Sequence, residues 1–110
     1  MTFFESEGEW MSSLDPDIKA KFLISLIHSL TVAGRASYDV GGTGLVHPDW
    51  LRQINEIQHR VSACLSQVLS GTGDAGFEKS IASLVLDVAD SELRSHTTWA
   101  WQNAKAKLKI

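Results

Sequence analysis

Two pairs of carboxylate and imidazole side chains have a spacing that suits metal ligation. Glu56 and His59 are three residues apart, and Glu92 and His96 are four apart, so each pair shares one face of a helix. Bundle proteins that hold two metal ions use two Glu-x-x-His motifs with further carboxylates. This chain has one such motif, on the polar face of its predicted helix. A metal-dependent bundle enzyme therefore stays an alternative, and a solvated Glu56–Arg60 ion pair is the simpler interpretation.

A basic edge on the first predicted helix is the second candidate site. Lys21, His28 and Arg35 recur every seven residues, so they line up along one helix, and Tyr38 follows them. Together they suggest a groove that binds a small ligand or an anion. The other interpretation is an intramolecular charge-paired groove. The acids that would face this edge are Asp87 and Asp90.

Nucleophilic catalysis and phosphate binding have little support. Cys64 falls on the apolar stripe of its predicted helix, where a cysteine packs as a small hydrophobic residue. No Gly-x-Ser-x-Gly motif is present. The glycines of residues 41–44 lack the Gly-Lys-Ser/Thr that completes a phosphate-binding loop. The sequence thus leans away from an enzyme and calls for no cofactor.

Composition excludes several partners and compartments. The chain has 110 residues, 44% of them hydrophobic and 21% charged, which is typical of one globular domain spanning residues 1–110. A formal net charge of −3 disfavours nucleic acid. The single cysteine favours a reducing compartment, and the acidic start does not resemble a secretory signal. No apolar run reaches the roughly 20 residues of a membrane span, so we expect a cytoplasmic protein.

Three helices are predicted to position these residues. The first covers about 15–37, with Asp15 as N-cap and Pro16 at its first position. The second covers 48–70 and starts at Pro48; its apolar residues alternate in steps of four and three. The third covers about 75–106.

The third predicted helix has a weak point near Asp90. Its apolar stripe is interrupted by Glu92 and Ser95 and resumes at Trp99. Either the helix continues with a kink and holds Glu92 against the core, or it breaks and Glu92 becomes a first-turn acid that the helix dipole favours. We favour one long element with a kink or break at this point.

Residues 1–13 form an acidic segment that carries Phe3, Phe4 and Trp10. Chain ends are commonly frayed, but apolar side chains favour burial. Docking of these aromatic residues on the core and disorder are both open, and we expect a partly ordered segment.

The predicted fold is an all-α up-down bundle of three helices, or four if the last one breaks. The first helix is apolar over more than half of its circumference, so it must be covered on more than one side. Trp99 and Trp101 point to different sides of the last helix. We therefore predict a homodimer. Its expected interface residues are Ile24, Ile27, Trp99 and Trp101. The leading function is an interaction protein that also binds a protein partner, as an adaptor, regulator or immunity-type factor does.

Overall fold

The computed structural model describes residues 3–35 and 47–108. Every regular element in these ranges is a helix. The order is α1 (Phe3–Ser12), α2 (Pro16–Gly34), α3 (Pro48–Ser70), α4 (Ala75–Leu86) and α5 (Ser91–Lys107). The all-α prediction is confirmed, but the described ranges contain five helices rather than three or four. The Gly-rich residues 41–44 and Tyr38 lie outside them.

The helix α3 has the bounds that its sequence predicts. Pro48 occupies the first turn, and the ring Nδ1 of His47 accepts a hydrogen bond from the backbone N–H of Trp50 at 3.3 Å. At the other end Gly71 has a φ of 76°, a left-handed conformation that glycine adopts without strain. The backbone N–H groups of Gly71 and Thr72 bond carbonyls of the last turn, so the helix stops there.

The predicted third helix is broken in two, α4 and α5, which is the second of the two alternatives that its sequence left open. Asp87 leaves the helical conformation, with φ −113° and ψ 40°. The carboxylate of Asp90 then accepts the backbone N–H groups of Glu92 and Leu93, which caps α5. The break explains the interrupted apolar stripe, because Glu92 is an exposed acid in a first turn.

The acidic N-terminal segment forms α1 and packs on α4. The approach is close at Gly8, where an added Cβ would lie 2.7 Å from the backbone oxygen of Lys79. Met11 is fully buried, and Trp10 meets the ring of Phe22 edge to face, with centroids 5.1 Å apart. The sequence left docking and disorder open, and α1 is docked.

The core gathers side chains from all five helices around α2. Its largest fully buried members include Met11, Phe22, Leu26, Val61, Ile81 and Trp101. The helices α2 and α3 run antiparallel, because late α2 residues meet early α3 residues and the reverse. Gly34 faces Ile54, whereas Pro16 and Val68 line one cavity. None of the described helices combines the length and the apolar character that crossing a membrane requires.

Candidate interaction surface

Two neighbouring helices cover most of α2. On one side, the amide of Gln58 in α3 donates to the backbone oxygen of Ile27 at 3.2 Å and to the hydroxyl of Thr31 at 2.8 Å. On the other side, the amide of Asn103 in α5 donates to the hydroxyl of Ser29 at 3.0 Å. The broad apolar surface predicted for this helix is therefore mostly buried within one copy of the chain.

A narrow strip of α2 remains exposed over its full length. Its members are Asp17, Lys21, Ile24, His28, Thr31 and Arg35, and all six are exposed. They are separated alternately by four and three residues, so they follow one face of the helix. We call these six residues the α2 seam. It unites two predicted surfaces, because Lys21, His28 and Arg35 of the ligand-binding edge alternate with Ile24 of the predicted interface.

The charges of the α2 seam are free of ion pairs within the described ranges. Each ion pair found there involves other residues than Asp17, Lys21 and Arg35. The acids expected opposite the basic edge have other roles: Asp87 follows the last residue of α4, and Asp90 caps α5. The seam thus presents one carboxylate near its start and two cations to solvent.

Exposed apolar side chains lie on and beside the α2 seam. Ile24 is 54% exposed, and Val32 on α2 and Trp99 on α5 are each 43% exposed. Trp99 lies one turn before Asn103, the residue of α5 that bonds Ser29 of α2. Val32 thus borders the seam on the side of α2 that faces α5, and Trp99 is exposed on α5.

The other two residues assigned to the interface are covered. Ile27 is half-buried, beneath the Gln58 amide that bonds its carbonyl. Trp101 is fully buried, with its ring 4.9 Å from that of Phe22 between centroids. The helix α1 supplies the cover, because Trp10 packs against both rings. The structure therefore places Trp101 in the core of one copy rather than at a surface.

The predicted ligand-binding edge is not gathered around one cavity. Arg35 lines a cavity of about 180 Å³ between α2 and α3, with Gly34, Ile54 and Asn55 among its other walls. Lys21 and His28 are not among its lining residues. Lys21 and His28 are seven residues apart, so they are separated by about 10 Å along the helix axis. A single small anion cannot touch them both together with Arg35.

The predicted metal ligands are spread over two helices. Glu56 and His59 are exposed on α3, and Glu92 is exposed at the start of α5. Glu56 has Arg52 as its ion-pair partner, at 3.8 Å, rather than the expected Arg60. In the described part of the chain, no group of three or more His, Cys, Asp or Glu side chains is arranged to hold a metal ion.

A cluster that the sequence did not suggest joins α3 to α5. The indole N–H of Trp50 donates to Asp90 at 3.0 Å, and the rings of His47 and His96 lie 4.6 and 5.8 Å from the Trp50 ring. The Trp50 hydrogen bond is the main cause of a lowered pKa of Asp90, and the Leu93 backbone N–H adds to it. From the sequence, Asp90 could be recognised as a good N-cap residue. Nothing in the sequence pattern indicated its contact with Trp50.

A second unforeseen cluster joins α2 to α4. The ammonium of Lys19 bonds both carboxylate oxygens of buried Glu78, at 2.9 and 3.3 Å. A cavity of about 150 Å³ adjoins this pair. Burial, followed by the negative charge of Glu78, raises the pKa of Cys64 to about 11. This thiol therefore stays protonated at neutral pH, which removes it as a nucleophile.

A groove of about 550 Å³ lies between α1 and α4. Its walls include Glu5, Glu9, Lys79, Ser80 and Ser83. Its lining contains neither histidine nor cysteine.

No protein-family model, no curated protein and no solved structure matches this chain.

Proposed function

We propose that this protein is a non-enzymatic interaction protein that forms a homodimer through the α2 seam and binds a protein partner as that dimer. The observation that carries the proposal is the exposed strip along one face of α2, with Ile24 near its centre and 54% exposed. A continuous helix face can receive a second helix laid along it. Closed two-fold pairing is the commonest arrangement of identical chains.

The shape of the seam favours a macromolecular partner over a small ligand. Its exposed residues extend from Asp17 to Arg35, a length of about 27 Å at about 1.5 Å per residue. Small-molecule sites are concave and bury most of their ligand. The seam is a convex helix surface bordered by Val32, which suits helix packing.

Another exposed apolar residue gives a contrast. Leu69 is 69% exposed near the end of α3. The residues beside it, Val68 and Ser70, are half-buried and exposed respectively. Isolated apolar residues at a surface are common and do not indicate an interface. The seam differs because Ile24 lies on a continuous exposed helix face, with the exposed side chain of Val32 on the same helix.

Sedimentation at micromolar concentration tests the homodimer. The expected mass is 24.2 kDa, twice that of the 12.1-kDa chain. Ile24→Lys should give a monomer, because the variant places a cation at the centre of the buried contact, beside Lys21 and His28. Leu69→Lys is the matched control, since it makes the same kind of change at an exposed apolar residue outside the seam. A monomeric wild-type protein, or equal effects of both variants, contradicts the proposal.

A further inference from the structure

We infer that the two copies pair their α2 helices antiparallel, so that Asp17 of each copy faces Arg35 of the other. This inference rests on the proposed homodimer and deepens it by giving the direction and register of the contact. It follows from the order of charges along the α2 seam, which begins with an acid and ends with a cation.

A parallel pairing brings like charges together. In a parallel two-fold pair each seam residue meets the same residue of the other copy. Asp17 would therefore face Asp17, Lys21 would face Lys21, and Arg35 would face Arg35. Like charges in direct contact weaken association, and here three layers of the contact would carry them. An antiparallel pair avoids all three contacts.

The antiparallel direction also fixes the register. When the two-fold axis passes level with residue 26, every seam residue has a partner: Asp17 faces Arg35, Lys21 faces Thr31, and Ile24 faces His28. Each of these contacts occurs twice. A shift by one heptad leaves either Arg35 or Asp17 without a partner on the α2 seam. Only the centred register uses the whole strip and neutralises both ends.

The borders of the seam fit the same arrangement. A two-fold axis perpendicular to antiparallel helices leaves the α5 helices of both copies on the same side of the contact. The exposed Val32 side chains of both copies then lie along that edge, where they add apolar area to that of Ile24. The α3 helices lie along the opposite edge, with the Gln58–Thr31 hydrogen bonds already in place.

Charge reversal tests the register. Asp17→Arg turns two attractive contacts per dimer into two repulsive ones, and Arg35→Asp does the same, so each variant should raise the dimer dissociation constant at least about tenfold. The double variant Asp17→Arg/Arg35→Asp exchanges the charges and should return the dissociation constant to within about threefold of wild type. In a parallel pair the exchange would not restore the dissociation constant, because each new side chain would again face the same side chain of the other copy.

The control variant is Arg60→Glu, which reverses an exposed cation two residues beyond Gln58 and so on another side of α3. Its dissociation constant should stay within about threefold of wild type. Circular dichroism of each variant verifies that the helices are intact. If the double variant stays as weak as the single ones, the antiparallel register is overturned. If Ile24→Lys alone dissociates the dimer, the homodimer stands without this register; if the wild-type chain is a monomer, both proposals fail.

Discussion

The ammonium nitrogen of Lys19 lies 2.9 Å from Oε1 of Glu78, and the two side chains are only 10% and 6% exposed. The hydroxyl of Ser12 lies 3.4 Å from the same carboxylate oxygen. The pair therefore ties the start of α2 to the first turn of α4, beside the end of α1. Glu78 is favourably placed near the positive end of the α4 dipole, whereas Lys19 near the start of α2 is not. The lysine thus depends on the carboxylate for its burial.

Removing one partner of this pair should destabilise the fold strongly. Glu78→Leu leaves the Lys19 ammonium buried without its carboxylate, and Lys19→Met leaves the carboxylate without its cation. Each should lower the free energy of unfolding by about 3–5 kcal/mol, measured by urea denaturation. The double variant is the decisive control, because it removes both charges and should recover most of that loss. Additive losses in the double variant would show that the two charges do not stabilise each other.

A methyl group at Gly8 should weaken the contact between α1 and α4. In a helix interior, alanine is normally more stable than glycine by about 1 kcal/mol. Here the new Cβ would lie 2.7 Å from the Lys79 backbone oxygen, so the helices must separate. Gly8→Ala should therefore lower the free energy of unfolding by about 1–2 kcal/mol, because overpacking exceeds the gain in helix propensity. Ser6→Ala, at an exposed position of the same helix, should cause no loss; a stabilised Gly8→Ala variant contradicts the close approach.

Local signals predicted the helices that have strong ends. Pro48 and Gly71 bracket α3, and its apolar period is regular, so the bounds 48–70 needed no tertiary information. The sequence predicted the break before α5 only as one of two alternatives, because Asp90 has the residue type of a good N-cap whether or not the helix breaks there. The short α1 could not be assigned, since its docking depends on Gly8 meeting Lys79 and Trp10 meeting Phe22, contacts between distant segments.

The sequence predicted the residues of the candidate surface but not how these residues are arranged. The periodicity of the first helix identified Lys21, His28 and Arg35, and its apolar surplus identified Ile24. These residues form one exposed strip because α3 and α5 cover the other sides of α2. The hydrogen bonds that Gln58 and Asn103 donate to α2 show this cover. The Lys19–Glu78 pair had no sequence signal, because its partners are 59 residues apart and each resembles an ordinary first-turn residue.

Acid should reduce the stabilising role of Asp90. Its pKa is below its usual value in the folded protein, chiefly because the Trp50 indole N–H donates to the carboxylate. The charged form is thus favoured by folding; its contribution is present above the unfolded pKa and is lost as pH falls through the folded pKa.

The variant Asp90→Asn removes this charge: its one amide oxygen can still cap α5, but its NH2 group cannot accept the Trp50 N–H. It should unfold at lower urea concentration than wild type at about pH 7, and the difference should shrink at about pH 2, where Asp90 is neutral as well. All other carboxylates are common to both proteins, so they cancel in the comparison. A difference that persists unchanged at low pH would show that the charge of Asp90 is not the cause.

The Cys64 thiol should be nearly inert in the folded protein. Its side chain is fully buried, and burial followed by the nearby Glu78 carboxylate raises its pKa to about 11. At about pH 8 only about one thiol in a thousand is then ionised, whereas an unperturbed cysteine is ionised in roughly a quarter of chains, and the thiolate is the reactive form. Labelling by an aromatic disulfide reagent should therefore be at least about a hundredfold slower in buffer than in concentrated urea. Raising the pH towards the folded pKa should speed the native reaction, provided the helical circular dichroism is unchanged. Rapid labelling of the folded protein at neutral pH would require an accessible thiolate. It would contradict the burial of Cys64, which lies on α3 close to the Lys19–Glu78 pair.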